Sequence, residues 1–457
     1  MSSNWPLKKI SEIANFLNNK RIPLKSLDRQ KRQGSYPYYG ASGIVDSIDG
    51  YIFDGTYLLI SEDGENLRTR KTPIAFKAHG KFWVNNHAHI LSEQEEGVLD
   101  YLEYYFSTLD LNPYITGAAQ PKLNKANLDS INIPFPDRSV RLFINSTLNS
   151  LTQKIATNNQ INQTLEQMAQ ALFKSWFVDF EPVKAKMSVL EAGGSQEDAT
   201  LAAMTAISGK DADALVVFER EHPGQYAELK ATAELFPSAM QESELGEIPE
   251  GWHVSDLSEV ASLNAESWTK KNAPESVSYV DLANTKWGVI NSIETYQFSD
   301  APSRARRILK PHDTIVGTVR PGNGSYSYIN KTGLTGSTGF AVLTPKARVF
   351  SEYIYLCVTS NESIERLAHL ADGGAYPAVN ADVVLSTQCV LPVERDTREA
   401  VLKVFSSRTD MFFSYRSNGL SQNEILSNIR DTLLPKLLSG EITLPEAEQA
   451  VSEAENV

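Results

Sequence analysis

The chain is written twice, and this repeat constrains its fold more than any other feature. Asn4–Ala14 (NWPLKKISEIA) aligns with Gly251–Ala261 (GWHVSDLSEVA), placing Trp5 on Trp252, Ser11-Glu12 on Ser258-Glu259 and Ala14 on Ala261. Later, Thr116–Pro136 (TGAAQPKLNKANLDSINIPFP) aligns with Asp372–Pro392 (DGGAYPAVNADVVLSTQCVLP). There Gly117, Pro121, Asn124 and Pro136 match Gly373, Pro377, Asn380 and Pro392 at a constant offset of 256. A charged, periodic segment follows each block, so the predicted order is globule, helix, globule, helix.

The first of these segments carries an unbroken heptad seam: Ile144, Leu148, Leu151, Ile155, Asn158, Asn162, Leu165, Ala169, Leu172 and Trp176. Alternating steps of four and three predict a helix of about 38 residues with one face given to a partner. The second segment has its own seam in Val401, Phe405, Phe412, Leu426, Ile429, Leu433 and Leu437, with a polar centre around Ser417–Asn423. Repeats related by a pseudo-twofold would set the two helices antiparallel, so their polar middles would meet. Asn158 and Asn162 are then expected to fix register at some cost in stability.

Within each globule, β-branched and aromatic runs are broken by Gly, Asp and Asn. YPYYGASGIVDSIDGYIFDGTYLLISEDG reads as short strands with turns at Asp49-Gly50, Asp54-Gly55 and Asp63-Gly64. TIVGTVRPGNGSYSYI and STGFAVLTP read alike in the second globule. One amphipathic helix is expected in each, near Val98–Leu109 and Glu352–Leu370. The predicted class is α+β: two mainly-β domains in pseudo-twofold repeat, joined by two long antiparallel coiled-coil helices.

A net charge of -13 argues at first against nucleic acid. Its distribution removes that objection, because residues 178–250 hold 15 acidic and 5 basic side chains and residues 441–457 hold 5 acidic and none basic. The two globules are each near neutral, so DNA binding stays open. No run approaches the roughly 18 apolar residues of a membrane helix, and no signal-peptide pattern opens the chain. The two cysteines, Cys357 and Cys389, suit a reducing compartment, and a cytoplasmic protein is expected.

Catalytic motifs are weak. Asn112-Pro113-Tyr114 lacks the second proline of an adenine methyltransferase loop and has no glycine-rich cofactor turn before it. Lys331-Thr332 follows Asn330 rather than glycine, so it is not a phosphate-binding loop. His87 and His89 share a strand face, but without a carboxylate or cysteine cluster they read as one packed histidine and one polar contact. No metal site is expected.

The globules do carry basic, amide and aromatic side chains in polar loops. Candidate DNA contacts are Lys20, Arg21, Arg32, Tyr39, Arg68, Arg70, Lys71 and Gln120 in the first, and Lys271, Arg304, Arg307, Arg320, Asn323 and Tyr376 in the second. Lysine and arginine serve phosphates, and arginine, Asn or Gln also read base edges.

With YPYYGASGI, LISEDGENL, GKFWVNNHAHIL, LFKSWFVDFEPVKAKM, SELGEIPEGW, TVRPGNG, STGFAVLTP and LLPKLLSGEI in repeat order, the chain resembles the specificity subunit of a type I restriction–modification system over nearly its whole length. With the resemblance, the segments read as a first target-recognition domain over 1–137 and a central spacer helix over 138–187, periodic over 138–177; the Ala-, Gly- and acid-rich linker over 188–250 is expected to hold short helices with weak packing. A second recognition domain over 251–393, a C-terminal spacer helix over 394–440 and an acidic tail over 441–457 follow. Each domain would read one half of a split double-stranded DNA site. A 38-residue helix spans about 57 Å, more than the roughly 34 Å between major-groove faces one turn apart. Two methyltransferase subunits would dock, bringing S-adenosylmethionine and adenine-N6 methylation, and restriction subunits would add ATP- and Mg-dependent translocation and cleavage. The chain itself would bind no cofactor and no membrane, and would not be an enzyme.

Two rivals stay open. A self-contained methyltransferase–recognition fusion would need the missing cofactor turn and Pro-Pro loop. A coiled-coil scaffold without DNA function would bind no DNA even with its partner subunits, and its deletion would cost no methylation.

Overall fold

The computed structural model describes residues 5–374 and 376–442; beyond Ile442 the expected acidic tail lies outside them. The chain divides into two compact units, Met1–Asn159 with Leu420–Val457, and Gln160–Gly419. Both boundaries fall inside long helices, Arg138–Phe177 and Arg395–Ser439, so each unit owns a part of each helix.

The first unit is built on one six-stranded sheet, ordered Ala14–Phe16, Ala88–Glu93, Phe53–Ser61, Ala75–Val84, Gln33–Gly40 and Gly43–Ile48. Its central strand is buried on both faces because successive side chains alternate. Leu58 and Ile60 join Val98, Leu102 and Phe106 of the helix Val98–Thr108, while Leu59 packs with Phe53, Phe82 and Ile90 on the other side. The first cluster continues into Ile144, Leu148 and Leu151 of the central helix and Leu426, Leu433 and Leu437 of the C-terminal one. Burying each such side chain stabilises by about 1.5–3 kcal/mol.

The second unit has two four-stranded sheets instead. One is ordered Ala261–Leu263, Phe340–Pro345, Thr314–Gly317, Tyr326–Tyr328, and the other Glu294–Gln297, Ser276–Val280, Leu334–Ser337, Ala305–Leu309. The repeat therefore lives in the frame rather than in the whole sheet. Leu7 pairs with Pro134 and Lys8 with Ile133 in the first unit. At the aligned positions of the second, Val254 pairs with Val390 and Ser255 with Cys389.

The two long helices pack together in each unit. In the second, Asn162 lies against Gly419, Glu166 pairs with Arg416, and Trp176 meets Phe405 at 5.7 Å between rings. Numbers rise along one helix as they fall along the other, so the pairing is antiparallel. In the first unit Asn158 Nδ2 donates to Asn423 Oδ1 at 3.0 Å and to Gln422 Oε1 at 3.3 Å, and Asn423 Nδ2 donates to Asn159 Oδ1 at 2.7 Å. Seam residues Ile155, Leu165, Leu172, Phe412 and Ile429 are half-buried; Phe173 and Phe413, beside Leu172 and Phe412, are the buried ones.

Four expectations need correction. The central helix has the bounds of its periodic segment, Arg138–Phe177, but the spacer span drawn to 187 runs past it: Phe180 takes a left-handed backbone (φ 53) and a separate helix runs Glu181–Glu191. The linker is not weakly packed. Helices Gln196–Ser208, Ala212–Glu221 and Pro223–Glu234 bury Ala203, Met204, Ile207, Leu215, Leu229 and Ala233 in the cluster of Trp176 and Trp252. Small alanines at helical spacing formed an apolar stripe that an Ala- and acid-rich composition disguised. Asp54-Gly55 is no turn but part of strand Phe53–Ser61, where Gly55 opposes Gly80 and both have positive φ. The span 352–370 is two helices, Ser351–Val358 and Asn361–Leu370, because Ser360 caps the second by accepting from the Ser363 amide.

Candidate nucleic-acid interface

In each domain the segment from the repeated glycine to the repeated proline is a loop clamped to the end of a strand. In the first, the Gly64 amide donates to the Pro121 carbonyl (3.0 Å) and the Leu123 amide to that of Glu62 (2.7 Å); Thr116 and Lys122 exchange both backbone bonds (2.9 and 2.8 Å). In the second, Arg320 donates to Pro377 (2.7 Å) and Val379 to Thr318 (2.9 Å), while Asp372 and Ala378 exchange theirs (3.1 and 2.7 Å). Each participant lies 256 positions after its counterpart. Glycine is required at the loop entrance. Gly117 has φ +85, and a Cβ there would come 2.2 Å from the Gln120 carbonyl oxygen; Gly373 has φ +120 and the same oxygen, on Tyr376, at 3.1 Å.

The clamp leaves Gln120 and Tyr376 at equivalent tips, Gln120 exposed and Tyr376 72% exposed. An arginine braces each loop from a different position. The Arg68 guanidinium donates to the carbonyls of Gly117 (3.0 Å) and Ala118 (3.3 Å). Arg320, which occupies the place of Gly64 with φ +48, sets its guanidinium 4.8 Å over the Tyr376 ring. The structure thus brings Arg68 to the loop that carries Gln120, at Gly117 and Ala118, and Arg320 to the Tyr376 ring, with the exposed Asn323 near Arg320.

The other candidates are scattered. Arg70 caps the short helix Asn66–Thr69 that carries Arg68, with a left-handed backbone (φ 49), and donates to the Ser107 and Leu109 carbonyls, with exposed Lys71 beside it. Arg21 is a brace: its Nη1 bonds Glu62 at 2.7 Å and the Ala88 carbonyl at 2.8 Å. Arg32 pairs with Asp49 and lies 5.0 Å over Trp83. Tyr39 packs among Phe76 and Phe82, and burial raises its hydroxyl pKa. Arg307 bonds Ser267 Oγ at 3.2 Å, and burial lowers its guanidinium pKa. Lys20, Lys271 and Arg304 are exposed away from these contacts.

Sequence reasoning missed Lys122, which lies inside the repeated block and reaches to 3.6 Å from Glu62 with half its side chain exposed. It also missed the polar cluster beneath the first loop. His89, fully buried, accepts from Asn18 Nδ2 at Nδ1 (2.8 Å) and donates from Nε2 to the Leu123 carbonyl (2.7 Å), which assigns the neutral Nε2–H tautomer. His87 instead faces Asp63 at 2.8 Å. No group of three or more metal-ligating side chains occurs among the described residues, and no helix among them is long and apolar enough to cross a membrane.

Two domains that repeat one loop clamp and vary the side chain at its tip define a class, the internally repeated two-domain protein. Residues 2–167 match the family described as type I restriction modification DNA specificity domain. The type I restriction enzyme HindI specificity subunit of Haemophilus influenzae is 32% identical over 70% of this chain and 71% of its own. The MjaIX specificity subunit of Methanocaldococcus jannaschii is 21% identical over 97% and 94%. The crystal structure of a type I restriction–modification S subunit from M. genitalium superposes with a TM-score of 0.50, covering 95% of this chain and 96% of that one at 13% identity, a likeness of fold. The chain belongs to the family of type I restriction enzyme specificity subunits.

Proposed function

We propose that this chain reads a bipartite double-stranded DNA target, one half-site per domain, and presents that DNA to two modification subunits docked on it. The observation that carries this reading is the loop clamp repeated 256 residues apart with Gln120 at one tip and Tyr376 at the other. A common scaffold with unlike tips is what two different half-sites require. Exposed Lys20, Lys71, Lys271 and Arg304 would contact phosphates, which position the duplex without reading it. The chemistry would belong to partners: S-adenosylmethionine and adenine-N6 transfer on the modification subunits, ATP and Mg on restriction subunits. The target base would be flipped into a partner's pocket.

Mapping methylated adenines across the genome with and without the gene tests this. A two-part motif that disappears on deletion is the expected result. A motif that persists, or methyl transfer to DNA by the purified chain alone, would contradict it.

A further inference from the structure

We infer that the residue before the loop proline, Gln120 in the first domain and Tyr376 in the second, selects bases within its own domain's half-site, and that Arg68 and Arg320 are positioning residues for these tips. The inference rests on the bipartite reading above and assigns its specificity to two side chains.

Whatever the two loops share cannot tell two half-sites apart. The clamp, the entrance glycine and the closing proline are shared. The tip is among the positions that differ, as are Thr116 against Asp372 and Lys122 against Ala378, and at the exposed tip the difference is chemical. A glutamine carboxamide offers one donor and one acceptor side by side, the pattern that pairs with adenine N7 and N6 in the major groove. A tyrosine offers a flat apolar face for a thymine methyl and a hydroxyl that donates or accepts.

Three features prepare the tips for contact. First, the backbone flanking each tip is hydrogen-bonded, and in the first loop Arg68 also holds the carbonyls of Gly117 and Ala118, which lowers the conformational freedom left to lose on binding. Second, Tyr376 leaves a large ring 72% exposed with a guanidinium 4.8 Å above it, an arrangement that brings a positive charge and a stacking face to one point. Third, a shallow hollow of about 390 Å³ is lined by Arg320, Asn323 and Pro377, the last of these the neighbour of Tyr376 in the chain.

The test uses the full chain assembled with its own modification subunits and maps methylated adenines across the host genome. Gln120→Ala is expected to relax one half of the motif, with roughly a tenfold loss of preference at one base pair or more. Tyr376→Ala is expected to relax the other half only. Arg68→Ala should relax the same half as Gln120→Ala with an unchanged thermal midpoint, and Arg68→Lys should restore part of the preference. Both halves unchanged in Gln120→Ala and Tyr376→Ala would overturn the inference while the bipartite reading stood. Unchanged halves with weakened assembly would make the loops docking elements for the modification subunits, which also overturns it. If the wild-type complex produced no two-part motif, the underlying reading would fall and this inference with it.

Discussion

His89 and Glu62 lie under the first loop, and their titration ties its stability to pH. Burial holds the His89 imidazole below its ordinary pKa, partly offset by its bond to the Leu123 carbonyl and the charge of Glu62. Burial would raise Glu62, but its bond to Arg21 and the nearby positive charges bring it below the usual carboxylate value. Both folded-state pKa values are depressed, so both contributions are present at neutral pH and are lost as pH falls. The histidine part goes first, below about pH 6.5, and the Glu62 part below about pH 4.3. Urea midpoints at pH 7 and 5.5 should fall for the wild type and fall less for His89→Gln; an equal drop in both would contradict this account. Asn162 makes a second residue-scale prediction. Neither atom of its carboxamide, buried at 6% exposure, has a hydrogen-bond partner among the described residues. Asn162→Ala should therefore leave stability unchanged or raise it by up to about 1 kcal/mol, and a loss beyond that would show an unrecognised partner. The sequence presented Asn158 and Asn162 as equivalent seam positions. Only Asn158 is hydrogen-bonded across the helices, because Gly419 stands opposite Asn162 and provides space rather than a partner.

At the scale of elements, the long helices are joined to their domains by polar anchors as well as by their seams. In the second unit Arg416, 7% exposed, pairs with Glu166 at 3.2 Å and donates to the Gly288 carbonyl at 2.9 Å. A Cβ at Gly288 would fall 2.1 Å from that guanidinium, which is why a glycine with φ +80 stands there. Arg416→Ala leaves Glu166 and a carbonyl unpaired and should cost about 3–5 kcal/mol. Combining it with Glu166→Ala should recover part of the loss, as read by denaturant unfolding; a cost below 1 kcal/mol would mean the anchor is dispensable. Heptad periodicity made both helices legible, since an apolar period of 3.5 residues sustained over many turns matches a paired helix and no strand. The seam ends at Trp176 and the helix at Phe177, so that end was legible; the left-handed backbone at Phe180, which separates it from the next helix, was not. The packed linker was hidden because alanine counts little toward an apolar stripe.

For the whole molecule, the repeat was readable from Gly117 and Gly373, Pro121 and Pro377, and it predicted the two-domain plan. The unlike sheets of the two domains were not readable, since the intervening segments share no pattern and strand pairing is set by contacts distant in sequence. Which basic loop residues are exposed was equally illegible: Arg21 and Lys20 are neighbours, yet one is a half-buried brace and the other exposed. That division yields a prediction at this scale. Lys20→Ala, Lys71→Ala and Lys271→Ala should each weaken DNA binding by the assembled complex on all sequences and lower the salt dependence by about one counterion apiece. A change of motif in any of them would reassign that lysine to base reading. If this chain chooses the sequence, then with the modification subunits held constant, exchanging it alone for another specificity subunit should change the two-part methylation motif to that of the exchanged chain; the same motif after the exchange would show that the choice is made elsewhere.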